Sequence, residues 1–166
     1  MKAQNTIRFL EYPQLKELFN AASKDKLIYH VMCEMLYSSG ITMDELLALN
    51  IDDIDFLGEV ICVRKDENKR HVPIGSSCLM LLEQHMRGCT GKLFEDIPAE
   101  EFSAKLTEFS KATGIIDLPV SPQILRDSFS VHMVCNGIDP QSLKELLGTE
   151  DDDYIKKVVQ TAKLRI

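Results

Sequence analysis

Between Ser121 and Gly148 one arginine, Arg126, stands among residues at helical apolar spacing: Leu125, Phe129, His132 and Met133. A guanidinium is a fixed fork of donors for carboxylate or phosphate oxygens. Buried without partners it is costly. Arg126 is therefore expected to be partly buried, its charge satisfied by a nearby carboxylate or by backbone carbonyls. The other concentration of positive charge is Arg64, Lys65, Lys69 and Arg70, interrupted by Asp66, Glu67 and Asn68. It is the most basic local cluster in the chain and the natural place for phosphate contacts. Tyr154 offers a hydroxyl directly after the run Glu150, Asp151, Asp152, Asp153. Carboxylates there suit the first turn of a helix, and they would repel a nucleic-acid backbone. His132 reads as a hydrogen-bonded core residue.

These groups need elements to carry them. Ser121 and Pro122 look like an N-cap and first helical residue. Asn136-Gly137 stops that helix, because glycine adopts the left-handed conformation without strain. Pro140 opens a second short helix through Leu147, closed by Gly148. Upstream, residues 1–10 read as extended, and Glu11-Tyr12-Pro13 starts a helix with Leu15, Leu18 and Phe19 on one face. Asp25 to Ser38 is a helix apolar on most sides, ended by Ser39-Gly40. Thr42 with Glu45 three residues on is a capping box. Asp52 to Ile74 is β-rich: Ile54 and Phe56 alternate with Asp53 and Asp55, Gly58-Glu59 turns, Val60 to Val63 is a strand, and His71 to Ile74 its return. Arg64 to Arg70 forms the polar hairpin tip between them. Helices follow over Ser76 to Met86 and Pro98 to Thr113, the latter closed by Gly114-Ile115. The last helix carries Ile155, Val158, Val159 and Leu164.

A chain of 166 residues accommodates one domain with a substantial core. It shows no apolar run of membrane-spanning length and no signal-peptide pattern, so a cytoplasmic location and no membrane partner are expected. The five cysteines are scattered without a C-x-x-C pair, which predicts free, mostly buried thiols and no metal site. The net charge of −7 is adverse to nucleic-acid binding overall, while leaving room for a local basic patch.

The run Ser121 to Gly148, a helix with Leu125-Arg126, then Asn136-Gly137, then Leu146-Leu147-Gly148, resembles the C-terminal core of the tyrosine recombinases, the phage-integrase family. There it reads roughly Ser-Pro-His-x-Leu-Arg-x-x-Phe-x-x-His-Leu, a Gly-hydrophobic-Asp turn, then Leu-Leu-Gly-His. Gly40, Glu45, Leu46 and Leu49 fit that family's Thr-Gly-Leu-Arg-x-x-Glu-Leu-x-x-Leu. Leu93-Phe94 and the opening helix fit as well, so the resemblance covers essentially the whole chain. It implies a mainly α (α+β) fold, a helical bundle with a small three-stranded antiparallel sheet. It also implies a single catalytic-core-like domain over 1–166, without the DNA-clamping domain that precedes it in many such enzymes.

The family cuts DNA by attack of a tyrosine hydroxyl on a phosphodiester. Two arginines and a His or Trp steady the charge developing on the phosphoryl oxygens, a lysine and another histidine move protons, and no metal or cofactor is needed. Carried over by position, the second arginine is Arg126. The first arginine falls on Thr42, the histidine before Arg126 on Gln123, the histidine after Leu-Leu-Gly on Thr149, and the nucleophile on Val158. Tyr154 sits one helical turn before that position and is the only tyrosine nearby. The lysine lies in the hairpin, where counting from Asn68 gives Asp66, counting back from Val72-Pro73 gives Arg64, and Lys65 lies between. The resemblance thus implies a degenerate, non-catalytic recombinase-like domain. It would bind DNA weakly through Arg64, Lys65, Lys69, Arg70 and Arg126, or serve as an accessory in DNA recombination or integration. Another recombinase protomer is a candidate partner through the C-terminal helix. Two other readings are a protein-interaction or regulatory domain with no DNA role, and an active recombinase using Tyr154.

Overall fold

The structure is a computed structural model that describes residues 6–114 and 120–165. Residues 1–5 of the expected extended segment, and Ile115 of the expected helix closure, lie outside the described residues. Eight α-helices, a short 3-10 helix at Ile51–Asp53 and one sheet are described: α1 Tyr12–Ser23, α2 Leu27–Ser39, α3 Met43–Leu47, β1 Ile54–Asp55, β2 Val60–Lys65, β3 Asn68–Pro73, α4 Ser76–Met86, α5 Ala99–Ala112, α6 Pro122–Cys135, α7 Pro140–Leu147 and α8 Asp152–Arg165. The sheet is antiparallel, in the order β1-β2-β3. This is the mainly α bundle with a small three-stranded sheet that the sequence implies.

Helix α2 is central because it is apolar nearly all round. Val31, Met32, Cys33, Met35 and Leu36 are fully buried, and α1, α4 and α6 pack on it. A second apolar cluster joins α6, α7 and α8 through Phe129, Val131, Leu143, Leu147, Ile155 and Val158. Each such side chain contributes roughly 1.5–3 kcal/mol on leaving water. The same cluster fixes α8 on its own chain, so its face of Ile155, Val158 and Ala162 is already buried here.

Three local readings shift. β1 is only two residues long, and Phe56 lies in the turn before β2, partly exposed, rather than alternating within a strand. The hairpin tip is shorter than the sequence suggests: Arg64 and Lys65 pair with Lys69 and Asn68, leaving Asp66 and Glu67 as a two-residue turn. Asp66 takes a φ of 57°, a left-handed conformation that aspartate tolerates, so the turn forms without glycine. Helix α8 begins at Asp152, inside the acidic run. The thiols are free, with Cys33 and Cys78 buried and Cys62, Cys89 and Cys135 half-buried. No helix is long and apolar enough to cross a membrane among the described residues.

Candidate functional site

Ser121 Oγ accepts from the Ile124 N–H and Pro122 takes the first helical position, which sets the start of α6 and the direction in which Arg126 leaves it. Arg126 is 8% exposed, and its guanidinium donates to the carbonyls of Gly40 and, at 3.2 Å, Leu147. Those carbonyls end α2 and α7, where intrahelical partners run out. The expectation of a carbonyl-satisfied Arg126 is met. Gly40 must be glycine: its φ is 70°, and a Cβ would lie 2.2 Å from the Phe129 ring. Burial pushes the Arg126 guanidinium below its usual range, opposed by the nearby Glu45 carboxylate.

Thr42 caps α3. Its Oγ1 accepts from the Glu45 N–H at 3.2 Å, and Glu45 Oε1 accepts from the Thr42 N–H at 3.0 Å, the reciprocal box read from the sequence. Glu45 does more than cap. Arg70 reaches it from β3 with two donors at 2.7 and 2.9 Å, while Arg70 Nε donates to the Leu146 carbonyl at 2.9 Å. The guanidinium lies against Gly148, where a Cβ would stand 2.5 Å from Nη1. Burial alone would raise the Glu45 carboxyl, but Arg70 and the Thr42 N–H hold it below its ordinary value. Two arginines from different elements thus end on adjacent carbonyls of the last turn of α7.

Thr42, Asp44, Glu45, Arg126 and Leu147 line one cleft of about 420 Å³, closed on the other side by Arg64, Lys65 and Asp66. The hairpin and Arg126 therefore do come together, and all three hairpin candidates for the lysine position reach the cleft. Arg64 donates to the buried Asp53 at 2.7 Å, and Asp66 is negative. Lys65 is the exposed cation of the three without an ion pair among the described residues. Lys69 is likewise exposed and unpaired among them. A neighbouring depression of about 260 Å³ separates the hairpin from α7. There Lys144 donates to Asp152 at 2.7 Å, with Glu150 3.9 Å away.

The remaining predicted positions fill structural roles. Gln123 Nε2 donates to Asp127 Oδ1 at 2.8 Å. Thr149 Oγ1 accepts from the Asp151 N–H, and Asp151 Oδ1 in turn caps α8 through the Tyr154 N–H. Val158 is fully buried. The Tyr154 hydroxyl donates to Asp127 Oδ1 at 2.6 Å, with Ser130 Oγ at 3.2 Å. Burial, then the Asp127 charge, pushes the Tyr154 hydroxyl well up from its usual range. Burial also raises Asp127, against the lowering effect of the Tyr154 and Gln123 hydrogen bonds. Asp127 and Ser130 went unread in the sequence. Their signal was spacing: four residues from Gln123 to Asp127 and three on to Ser130 put them on one strip of α6.

The sequence profile of the Phage integrase family matches residues 8–163. Among curated relatives, the tyrosine recombinase XerD of Listeria innocua is 27% identical over 184 residues, covering 99% of this chain and 62% of its own length. The tyrosine recombinase XerC of Roseiflexus castenholzii is 34% identical over 134 residues, covering 70% of this chain and 42% of its own. The crystal structure of XerA recombinase superposes with a TM-score of 0.83 at 22% identity, over 96% of this chain and 62% of that one. XerH recombinase bound to its difH substrate gives 0.80 at 15%, over 90% and 49%. These superpositions speak to fold. The chain spans at most about three fifths of the length of the relatives named here.

Proposed function

We propose a function for this chain from the premise that it belongs to the phage integrase family: it is a non-catalytic recombinase-like domain that contacts DNA weakly, as an accessory to recombination or integration. The observation that carries the proposal is the state of the nucleophile position. Val158 has no hydroxyl and is packed in the core. Tyr154, one turn earlier, gives its hydroxyl to Asp127, and burial beside that carboxylate opposes the phenolate an attack would need. The charge stabilisers tell the same way. Thr42 caps α3, Thr149 accepts from the Asp151 N–H in the turn before α8, Gln123 does not titrate, and Arg126 is already engaged with two carbonyls. Losing one fixed donor to a developing oxyanion typically costs about 2.7–4 kcal/mol of barrier, and several are missing together.

DNA is the favoured partner because structural neighbours such as XerH are described in complex with it, and because Lys65 and Lys69 remain exposed beside the cleft. Arg64 and Arg70, by contrast, are held by Asp53 and Glu45. Two free lysines correspond to a salt slope of about −1.8, at roughly −0.9 per phosphate neutralised. The test has two arms. Incubation with a nicked suicide duplex, resolved on a denaturing gel, should give no covalent adduct; an adduct lost in Tyr154→Phe would establish catalysis instead. A salt titration with random duplex should show weak binding and a shallow slope. No binding even at low salt would favour a protein-interaction domain.

A further inference from the structure

Helix α7 turns one strip toward the β2–β3 hairpin. Gln141, Lys144 and Glu145 stand three and four residues apart on it, and with Gly148 at its end they line the depression of about 260 Å³ from one side. Lys65, Asn68, Lys69 and Arg70 line it from the other. Arg70 is taken by Glu45, whereas Lys65 and Lys69 are exposed. Lys144 is the fourth cation on this wall, and the chain's own next turn holds it. At Gly148 the backbone takes a φ of 65°, the Thr149 N–H donates to the Lys144 carbonyl at 3.1 Å, and the chain doubles back. That brings Asp152, the first residue of α8, to 2.7 Å from the Lys144 ammonium, with Glu150 at 3.9 Å. The two carboxylates are 71% and 99% exposed, and the Lys144 side chain only 17%. Capping α8 falls to Asp151 instead, through the Tyr154 N–H.

Resting on the reading that this chain contacts DNA, we propose that the depression is a seat for one backbone phosphate and that the turn at 150–152 is its built-in competitor. Glu150 and Asp152 hold the ammonium that the phosphate would take. A phosphate entering the depression meets Lys65 and Lys69 on the hairpin side. On the other side it must draw Lys144 away from its carboxylates. In the wild type that exchange gains little. Counter-ions leave the phosphate, but they gather again on the carboxylates that lose their partner. The hold is mutual. The hydrogen bond from Lys144 keeps the Asp152 carboxyl below its ordinary range, and the same bond raises the Lys144 ammonium. A merely repulsive acidic run would weaken binding whatever stood at position 144. A competitor acts through Lys144.

The test is a thermodynamic cycle on the full chain, with random duplex DNA as the probe and affinity read by fluorescence anisotropy between about 50 and about 200 mM salt. Its members are the wild type, Glu150→Gln with Asp152→Asn, Lys144→Ala, and all three substitutions together. The paired substitution should tighten binding by about tenfold at the low-salt end and steepen the salt slope by about 0.9, one further phosphate contact. With Lys144→Ala present, the gain should shrink to about twofold and the slope should not steepen, because only repulsion screened over roughly 10 Å remains. A gain as large without Lys144 as with it overturns the proposal and leaves long-range repulsion as the effect of the acidic run. Binding that the paired substitution does not tighten overturns it as well. No binding by any member at low salt overturns the DNA reading itself, and the seat with it. Thermal melts without DNA establish that each variant is folded. If the paired variant is not, the same cycle on Asp152→Asn alone decides.

Discussion

Replacing Arg126 by Ala separates a structural arginine from a phosphate ligand. The wild-type guanidinium supplies charge-assisted donors to the Gly40 and Leu147 carbonyls, which close α2 and α7. Hydrogen bonds to a charged group contribute about 1.5–3 kcal/mol each. Removing the buried charge recovers part of its desolvation cost, so the net loss should be about 3 kcal/mol. For a domain of 166 residues, at roughly 2–4 °C per kcal/mol, that is a fall in Tm of about 6–12 °C. Circular dichroism melts without DNA measure it. Arg126→Lys should fall between, since one ammonium cannot reproduce a planar fork that spans two carbonyls. A Tm within about 2 °C of wild type, together with weaker duplex binding, would refute the reasoning and mark Arg126 as a surviving phosphate ligand.

Gly40→Ala should lose about 3 kcal/mol by chemical denaturation, the left-handed φ and the overlap with Phe129 adding together. Glu45→Gln should cost about 3 kcal/mol at pH 7, because Arg70 then loses a buried carboxylate partner. Since the folded Glu45 carboxyl sits below its 4.5 reference, its contribution is present above that value and is lost as pH falls through the folded one. Wild type should therefore lose more stability than the variant between pH 6 and pH 3 in urea titrations; parallel curves would sink the assignment. Substituting Ser for Asp151, Asp152 and Asp153 keeps an N-capping side chain at 151 and frees Lys144 from Asp152, leaving Glu150 3.9 Å away. Filter binding to random duplex at low salt should tighten, with the gain shrinking as salt rises.

The parts of this fold legible in the sequence are those set by neighbours along the chain. Ser121-Pro122, the Thr42–Glu45 box, Gly40 and Gly148 mark helix ends through contacts spanning only a few residues, and the structure places those ends close to where the signals put them. Arg126 was legible for another reason, since a buried guanidinium must find acceptors and helix ends expose carbonyls. The Arg70–Glu45 pair was not, because its partners are 25 residues apart on a strand and a helix whose packing sequence spacing does not specify. The hairpin register was hidden by a turn in which Asp66, and not glycine, takes the positive φ. The clasp of Tyr154 on Asp127 depends on how α8 lies across α6, a tertiary fact, though the strip of polar residues on α6 was visible.

The same geometry reconciles a basic cluster with a net charge of −7. Arg64 is spent on Asp53, Arg70 on Glu45 and Lys144 on Asp152, so three cations near the cleft are neutralised within the molecule. Arg126 keeps its charge but turns it to the carbonyls of α2 and α7. Among these elements only Lys65 and Lys69 point positive charge outward without an ion pair among the described residues, against Asp44, Asp66, Glu145 and Glu150 around the same two depressions. Retaining an arginine at a family position is therefore no evidence of retained chemistry. Here the side chain satisfies helix-end carbonyls, a demand that persists whether or not a phosphate ever arrives. Gly40, Gly148, Glu45, Arg70 and Arg126 each have such a structural reason to be kept, and on the reading proposed above a fold held this way leaves the buried position of Val158 free of any need for a hydroxyl.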